Sequence, residues 1–358
     1  MSDQMPYHST RFSDFSLKMA EQYLEGFKKK FIIANKIFRP NVVHSHHLWL
    51  VTALSRVFFQ NLPILATCHN TALRQIYLAP HLKEYIVNPI RLLDAIAVIN
   101  ENQKNRIKNL YQFNESLEKS SQFYFVGQAI NTEIFYPQEA DENKIKKKQK
   151  RPVKNKKRIV YAGKLSNSKG VPQLIEAFKE VCEMTNHDYE LLLIGSGKGE
   201  EKEKIIKMAS TLKNRIKALG QIDQEQLASI FRSSELFILP SFYDGFPKVL
   251  LESLACGCKA IMTDIPGIQE TLVNKCGPSK NIKFISLPKM KTIDQPIQSE
   301  IPEFINRIKT AILSYINDVS YDTIDYSYAD KVRKEFGWFG LFKRYLEIYK
   351  RLIIIQEF

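Results

Sequence analysis

Residues 235–264 read ELFILPSFYDGFPKVLLESLACGCKAIMTD. An apolar run, ELFILPS, meets a turn carrying Tyr243, Asp244 and Gly245. A stretch with helical spacing, FPKVLLESLACG, follows, and a second apolar run, KAIMTD, closes the unit. Short, continuous apolar runs separated by helix signals mark the strands of a parallel sheet covered on both faces. The alternation extends in both directions. IVYAG (159–163), LLLIG (191–195) and RIKALG (215–220) come before it, and KFISLP (283–288) comes after. VPQLIEAFKEVCEM, GEEKEKIIKMASTLK and DQEQLASIFRSS fill the intervals with helical spacing. The pattern predicts a doubly wound α/β domain, and such sheets bind ligands outside the carboxyl ends of their strands.

The first half repeats the theme less completely. NVVHSHHLWL (41–50), LPILATCHN (62–70), AIAVIN (95–100) and SQFYFVGQAI (121–130) read as strands. A helix, MAEQYLEGFKKKFIIANKIF, lies ahead of them. The tail reads as one helix followed by a long amphipathic helix. Its apolar set Phe342, Tyr345, Leu346, Tyr349 and Leu352 has the 3–4 spacing of a single buried face.

At 358 residues the chain has room for two domains with proper cores. With 44% hydrophobic and 25% charged residues it has globular composition, which excludes the disordered and fibrous classes. No apolar run approaches the roughly 18 to 20 residues that span a bilayer. The opening MSDQMPYHSTRFSDF lacks the basic-then-apolar layout of a secretory signal. The five cysteines form no C-x-x-C pair and read as reduced thiols, so the expected location is cytoplasmic.

The net charge is +14, and the segment from Lys144 to Arg158 holds ten basic residues and no acidic one. Removing those ten from +14 leaves +4 for the rest of the chain. A like-charge block of this kind reads as a solvated linker. It also suits an anionic membrane surface, placing the protein peripherally at the inner face. No nucleic-acid-binding module accompanies the charge, so nucleic acid is not an expected partner. The expected division is an N-terminal domain at 1–140, a basic linker at 141–158, a C-terminal domain at 159–325 and terminal helices at 326–358 that cross back to the first domain.

The chemistry gathers at the strand-end turns. After IVYAG the chain turns at Gly163 and passes Lys164, a Ser-Asn-Ser stretch and Lys169. A helix then opens at Gly170-Val171-Pro172. Helix N-termini present free N–H groups and positive partial charge, and two lysines beside one suit a diphosphate. LLLIGSGKGEE repeats the strand–glycine–helix turn at Gly195. The third such turn holds Asp244, and Glu252 stands about one and a half turns into the following helix. A carboxylate in so apolar a run either turns to water or faces a ligand. Paired sugar hydroxyls are the partners that a carboxylate accepts from. In the first half, His44 and His46 alternate onto one strand face, but no acidic or cysteine partner for zinc is evident.

GKLSNSKG, LLLIGSGKG, ALGQI and LPSFYDGFPKVLLESLACGCKAIMTDIPGIQE, in this order, resemble the family-4 retaining glycosyltransferases of the GT-B fold. The most specific element is the pair of acids separated by seven residues, Asp244 and Glu252. Asp244 stands where most members carry glutamate. The resemblance implies that Asp244 contacts the transferred sugar and Glu252 the ribose, while Lys164 and Lys169 hold the diphosphate. Lys164 replaces the usual arginine, which keeps the charge and loses the bidentate fork. Gly245, Phe246, Pro247 and Lys248 would line the donor, with backbone N–H groups offered by all but the proline, and Gly220, Gln221 and Ile222 would cup the base. LATCHNTALRQ resembles the strand-end histidine segment, which puts His69 at the interdomain cleft facing the donor sugar. Members begin with a strand and a glycine-rich loop that have no counterpart here. The resemblance therefore carries the expectation that the first domain is incomplete, by roughly 60 or more residues.

The expected function is retaining transfer of a hexose-type sugar from a UDP- or GDP-sugar to a hydroxyl acceptor. The acceptor would be a glycan or lipid-linked, in glycan, glycolipid or polysaccharide synthesis. No metal or other cofactor is expected, and the chain contains no D-x-D triplet. The competing readings are a nucleotide-sugar epimerase and a donor-binding but inactive GT-B protein.

Overall fold

The computed structural model describes residues 9–113, 122–138, 157–185, 189–212, 214–292, 294–317 and 326–354. The chain divides into two compact units, Met1–Gly127 with Leu341–Phe358, and Gln128–Gly340. Both are α/β with wholly parallel sheets.

In the first unit, helix α1 (Leu17–Phe38) starts at Ser16, whose hydroxyl accepts from the Met19 N–H at 3.2 Å, an ordinary N-cap. Strands β1 (Val43–His46), β2 (Ile64–Thr67), β3 (Ala95–Val98) and β4 (Phe123–Phe125) lie in chain order across the sheet. Helices α2 (Leu50–Phe58), α3 (Asn70–Leu78), α4 (Val87–Arg91) and α5 (Glu101–Leu110) make the crossovers. The final helix α13 (Trp338–Ile354) contributes to this unit from Leu341 onward. Its apolar stripe is buried Ile348 and Leu352 with partly buried Leu341, Tyr345 and Tyr349, packed on Leu65, Ala95, Ala97 and Val126. Phe342, expected on that face, is 58% exposed, because the stripe is phased on Leu341, Tyr345, Ile348 and Leu352.

The second unit holds β5 (Lys157–Ala162), β6 (Tyr189–Ile194), β7 (Ile216–Gly220), β8 (Leu236–Leu239), β9 (Lys259–Thr263) and β10 (Ile282–Ile285). These coincide with the six predicted apolar runs, and β6, β8 and β9 are buried along their whole length. Helices α6 (Val171–Met184), α7 (Gly199–Ser210), α8 (Gln224–Arg232) and α9 (Lys248–Ala255) fall where helical spacing predicts them. Helices α10 (Ile268–Cys276), α11 (Ile301–Ile316) and α12 (Tyr326–Phe336) complete the unit, with α12 packed on α9 and α10. The strand order is β10-β9-β8-β5-β6-β7. Connections leave β5 toward one edge and β8 toward the other, so the order reverses between β5 and β8. That reversal opens a crevice at the carboxyl ends of these two strands.

Most of the basic segment lies outside the described residues. Its last two members, Lys157 and Arg158, belong to β5 and not to a linker. Arg158 Nε lies 3.3 Å from the buried carboxylate of Glu190, which also pairs with Lys217. This ion pairing holds the end of the basic run in the sheet.

Candidate functional site

The loops after β5 and β8 meet at the reversal point. From the first comes Lys169, at the end of a 3-10 turn, Asn167–Lys169, that leads into α6. From the second comes Asp244. Lys169 Nζ lies 2.5 Å from Asp244 Oδ2 and donates to the Tyr243 carbonyl at 3.2 Å. Both side chains are about four-fifths buried, at 23% and 21% exposure. The Phe242 N–H donates to the Ser168 carbonyl at 3.0 Å, which stitches the backbones together. Gly170 (φ +66°) lies at the tightest point: a Cβ there would run into the Pro240 carbonyl. Only glycine meets both demands. Helix α6 therefore begins beside the paired charges, with Gly170 at its N-cap and no side-chain cap on its first-turn N–H groups.

The loop is braced from two sides. Tyr161 is buried in β5, and its hydroxyl donates to the Lys164 carbonyl at 2.7 Å. Burial, and then the charge of Asp244, pushes that hydroxyl's pKa well above its ordinary value. The Asn167 N–H donates to Glu201 Oε1, in the first turn of α7, at 2.8 Å. Neither brace was anticipated from sequence. Tyr161 lies within the apolar run IVYAG and Glu201 within the helical stretch GEEKEKIIKMASTLK. Lys164 itself is exposed.

The neighbouring strand ends are locked in series. The Gly163 N–H donates to the Ile194 carbonyl at 2.9 Å, and the Gly195 N–H to the Gly220 carbonyl at 2.7 Å. At Gly195 (φ +126°) a Cβ would collide with the Gly163 carbonyl. Gly220 ends β7, followed by exposed Gln221 and half-buried Ile222.

Glu252 lies half-buried on α9. Among the described residues no group donates a hydrogen bond to its carboxylate. Burial raises its pKa to about 7, opposed by Lys248. The acid is turned neither into the core nor fully to water. Lys248 lies 5.6 Å from the Trp338 ring centre. Phe246 is buried with its ring stacked on Phe336 at 5.9 Å, so it supports the loop from beneath. The Gly245 N–H lies 3.0 Å from Asp244 Oδ1 and donates to it.

Sequence reading thus assembles Gly163, Lys164, Lys169, Gly195, Gly220, Gln221, Ile222, Asp244, Gly245, Phe246, Pro247, Lys248 and Glu252 in one unit, on its carboxyl-edge loops and the helix that follows β8. His69 belongs to the first unit. It is exposed, at the N-cap of α3, with its Nε2 3.2 Å from His46 Nδ1. Among the described residues no three His, Cys, Asp or Glu side chains are grouped to hold a metal ion.

The family described as glycosyl transferases group 1 matches residues 142–278. The chain is 25% identical over 225 residues to the phosphatidylinositol N-acetylglucosaminyltransferase GPI3 subunit of Saccharomyces cerevisiae. That match covers 63% of this chain and 44% of the yeast protein, so the chain spans less than half of this relative's length. It is 22% identical over 272 residues to N-acetyl-alpha-D-glucosaminyl L-malate synthase of Bacillus anthracis, covering 74% and 68% of the two chains. Among solved structures, sucrose-phosphate synthase of Thermosynechococcus elongatus superposes with a TM-score of 0.65 at 17% identity, covering 95% and 81%. Anabaena HepE in complex with UDP and glucose gives 0.62 at 14%, covering 94% and 81%. Residues 142–278, most of them in the second unit, are thus similar to the glycosyl transferases of group 1, and the chain has the α/β fold with two parallel sheets that GT-B glycosyltransferases have.

Proposed function

We propose that the protein transfers a hexose-type sugar from a nucleotide diphosphate sugar to a hydroxyl acceptor with retention of anomeric configuration. The observation that carries this reading is the pairing of Lys169 with Asp244 across the strand-order reversal, at the open start of α6. A diphosphate seated there meets Lys169, Lys164 and the first-turn N–H groups of α6. These are preorganised donors for charge that grows on a leaving phosphate. They meet that charge without a metal, and metal-free transfer is part of the proposal. Asp244 is freed from Lys169 as the diphosphate takes the amine, and becomes an acceptor for sugar hydroxyls. Glu252, which no neighbour satisfies among the described residues, accepts from the ribose pair. The departing phosphate oxygen takes the acceptor's proton. A UDP-sugar is the first donor to test, since the HepE structure contains UDP and glucose.

The test is a nucleotide-release screen over UDP- and GDP-sugars with hydroxyl acceptors. Turnover should fall about 10²- to 10³-fold in Lys169→Ala, the range seen on removing one preorganised charge donor. Glu252→Ala should weaken donor binding at least about tenfold, or about 1.4 kcal/mol. Both variants should remain folded, as read by circular dichroism. Parent-like transfer by either one would refute the site.

A further inference from the structure

Between Glu25 and Glu84 the sequence holds no aspartate or glutamate, while Lys28, Lys29, Lys30, Lys36, Arg39 and Arg56 all fall within that span. Most of these cations sit on the second half of α1 or on the residue that closes it. Helices α1, α2 and α4 each lead into a strand, so their C-terminal ends gather at the amino edge of the first sheet. Large apolar side chains stand in solvent there. Ile33 is 52% exposed, Ile37 79%, Phe38 80% and Val57 55%. A groove of about 690 Å³ opens between the ends of α1 and α2, with Asn35, Lys36, Arg39, Pro40, Phe58 and Leu62 on its walls.

A single exposed apolar side chain is ordinary, but a contiguous group rimmed by one sign of charge marks a contact surface. By helical repeat Ile33 and Ile37 share one side of α1, Ile32 lies about 100° before them and Phe38 about 100° beyond. Lys29, Lys30 and Lys36 fall in the gaps. The apolar groups thus surround the helix end, whereas a protein groove takes a single stripe. A lipid interface receives such an end from several sides, with lysine stems passing along the apolar layer to reach headgroup phosphates. Among the described residues no carboxylate pairs with Lys29, Lys30, Lys36 or Arg39. A second copy of the chain would set these cations against one another, which opposes self-association on this face. Arg39 is an independent sign. It closes α1 at φ +47°, with its N–H donating to the Asn35 carbonyl at 3.1 Å. Glycine is the usual residue in that left-handed position, so the guanidinium is kept at the rim of the groove against a backbone preference.

We propose that the C-terminal ends of α1 and α2 dock on an anionic phospholipid surface. Ile33, Ile37 and Phe38 enter the interface, and Lys30, Lys36 and Arg39 take the headgroup phosphates. The surface is separate from the basic run ahead of β5, and it does not rest on the transferase reading. The test is cosedimentation of the full chain with vesicles of phosphatidylcholine alone or mixed with phosphatidylglycerol. The variants are Ile37→Ser with Phe38→Ser, Arg39→Gly, Phe38→Trp, and a chain whose basic residues at 144–156 are changed to glutamine.

The parent should sediment with the anionic vesicles and stay in solution with phosphatidylcholine alone. Binding should weaken at least about tenfold in the double serine variant. It should weaken about fivefold in Arg39→Gly, which should stay folded by circular dichroism. In Phe38→Trp the added indole should emit further to the blue on anionic vesicles and be quenched by brominated acyl chains, read as the difference from the parent with its Trp49 and Trp338. Weakened binding in the α1 variants supports the proposal whatever the change at 144–156 does. No binding by the parent, or parent-like binding by the double serine variant and by Arg39→Gly, overturns it. A dimer in light scattering that the double serine variant dissolves assigns the face to a second copy. Capture by polyglutamate, with no change of the indole on vesicles, assigns it to an acidic protein. Either result also overturns the proposal. Should the double variant unfold, Arg39→Gly and the Phe38→Trp emission decide.

Discussion

Glu252 joins two properties that rarely coexist in a carboxylate, partial burial and the absence of a hydrogen-bond donor among the described residues. Its raised pKa of about 7 means that the folded chain holds the proton more tightly than the unfolded chain does. The stabilising contribution of the protonated form is fully present below the unfolded value near 4.5 and is lost as pH rises through about 7. The melting temperature of the wild type, relative to Glu252→Gln, should therefore fall between pH 5 and about 7.5 in paired thermal scans. Donor binding should run the other way. Ribose hydroxyls donate best to the ionised carboxylate, so nucleotide affinity should drop as pH falls below about 7. A flat affinity profile in the wild type would separate Glu252 from the ribose. The acid, its spacing from Asp244 and the two lysines were all legible in sequence. The Lys169–Asp244 pairing was not, because the two residues are 75 positions apart and meet only through sheet order.

At the scale of elements, the strand-end glycines do what side chains cannot. Gly170→Ala places a Cβ against the Pro240 carbonyl at a left-handed φ, joining a steric clash to a backbone penalty. The substitution should cost at least about 2 kcal/mol in urea unfolding and should weaken nucleotide binding, since the same turn sets Lys169. Loss of binding without loss of stability would mean that the turn has another neighbour than the one described. The six strands of the second unit announced themselves as apolar runs because parallel strands are buried on both faces. Helix α11 lies between β10 and α12 and follows a stretch without a strand signal, so alternation did not predict it. In α13 the period was legible, but its phase was misjudged by one position at Phe342, since a neighbouring apolar residue satisfies the same spacing.

At the scale of the molecule, α13 completes the first unit. Leu352 (4% exposed) and Ile348 (3%) close a core over β2 and β3, while Tyr345 and Tyr349 reach Thr67 and His44. Ending the chain after Gly340 should expose Leu65, Ala95 and Ala97. Amide exchange should then rise in β2 and β3 and stay unchanged in β5 and β6, as read by hydrogen exchange with mass spectrometry. Leu352→Ala should destabilise the first unit by about 2 to 4 kcal/mol in denaturant titration. Protection of β2 and β3 that survives the truncation would show that this helix adds no core. No helix among the described residues is long and apolar enough to cross a membrane.

What the residues determined by themselves is the class of each segment and the identity of the chemical groups. Periodicity, glycine turns and charge are local properties, written within about 10 to 20 positions. The order of strands, with its reversal between β5 and β8, came only from tertiary structure. So did the capture of Lys169 by Asp244, the hidden brace from Tyr161 and the approach of His69 to His46. Each depends on pairing between distant segments, and such pairing follows from how whole surfaces bury together rather than from any local run of residues.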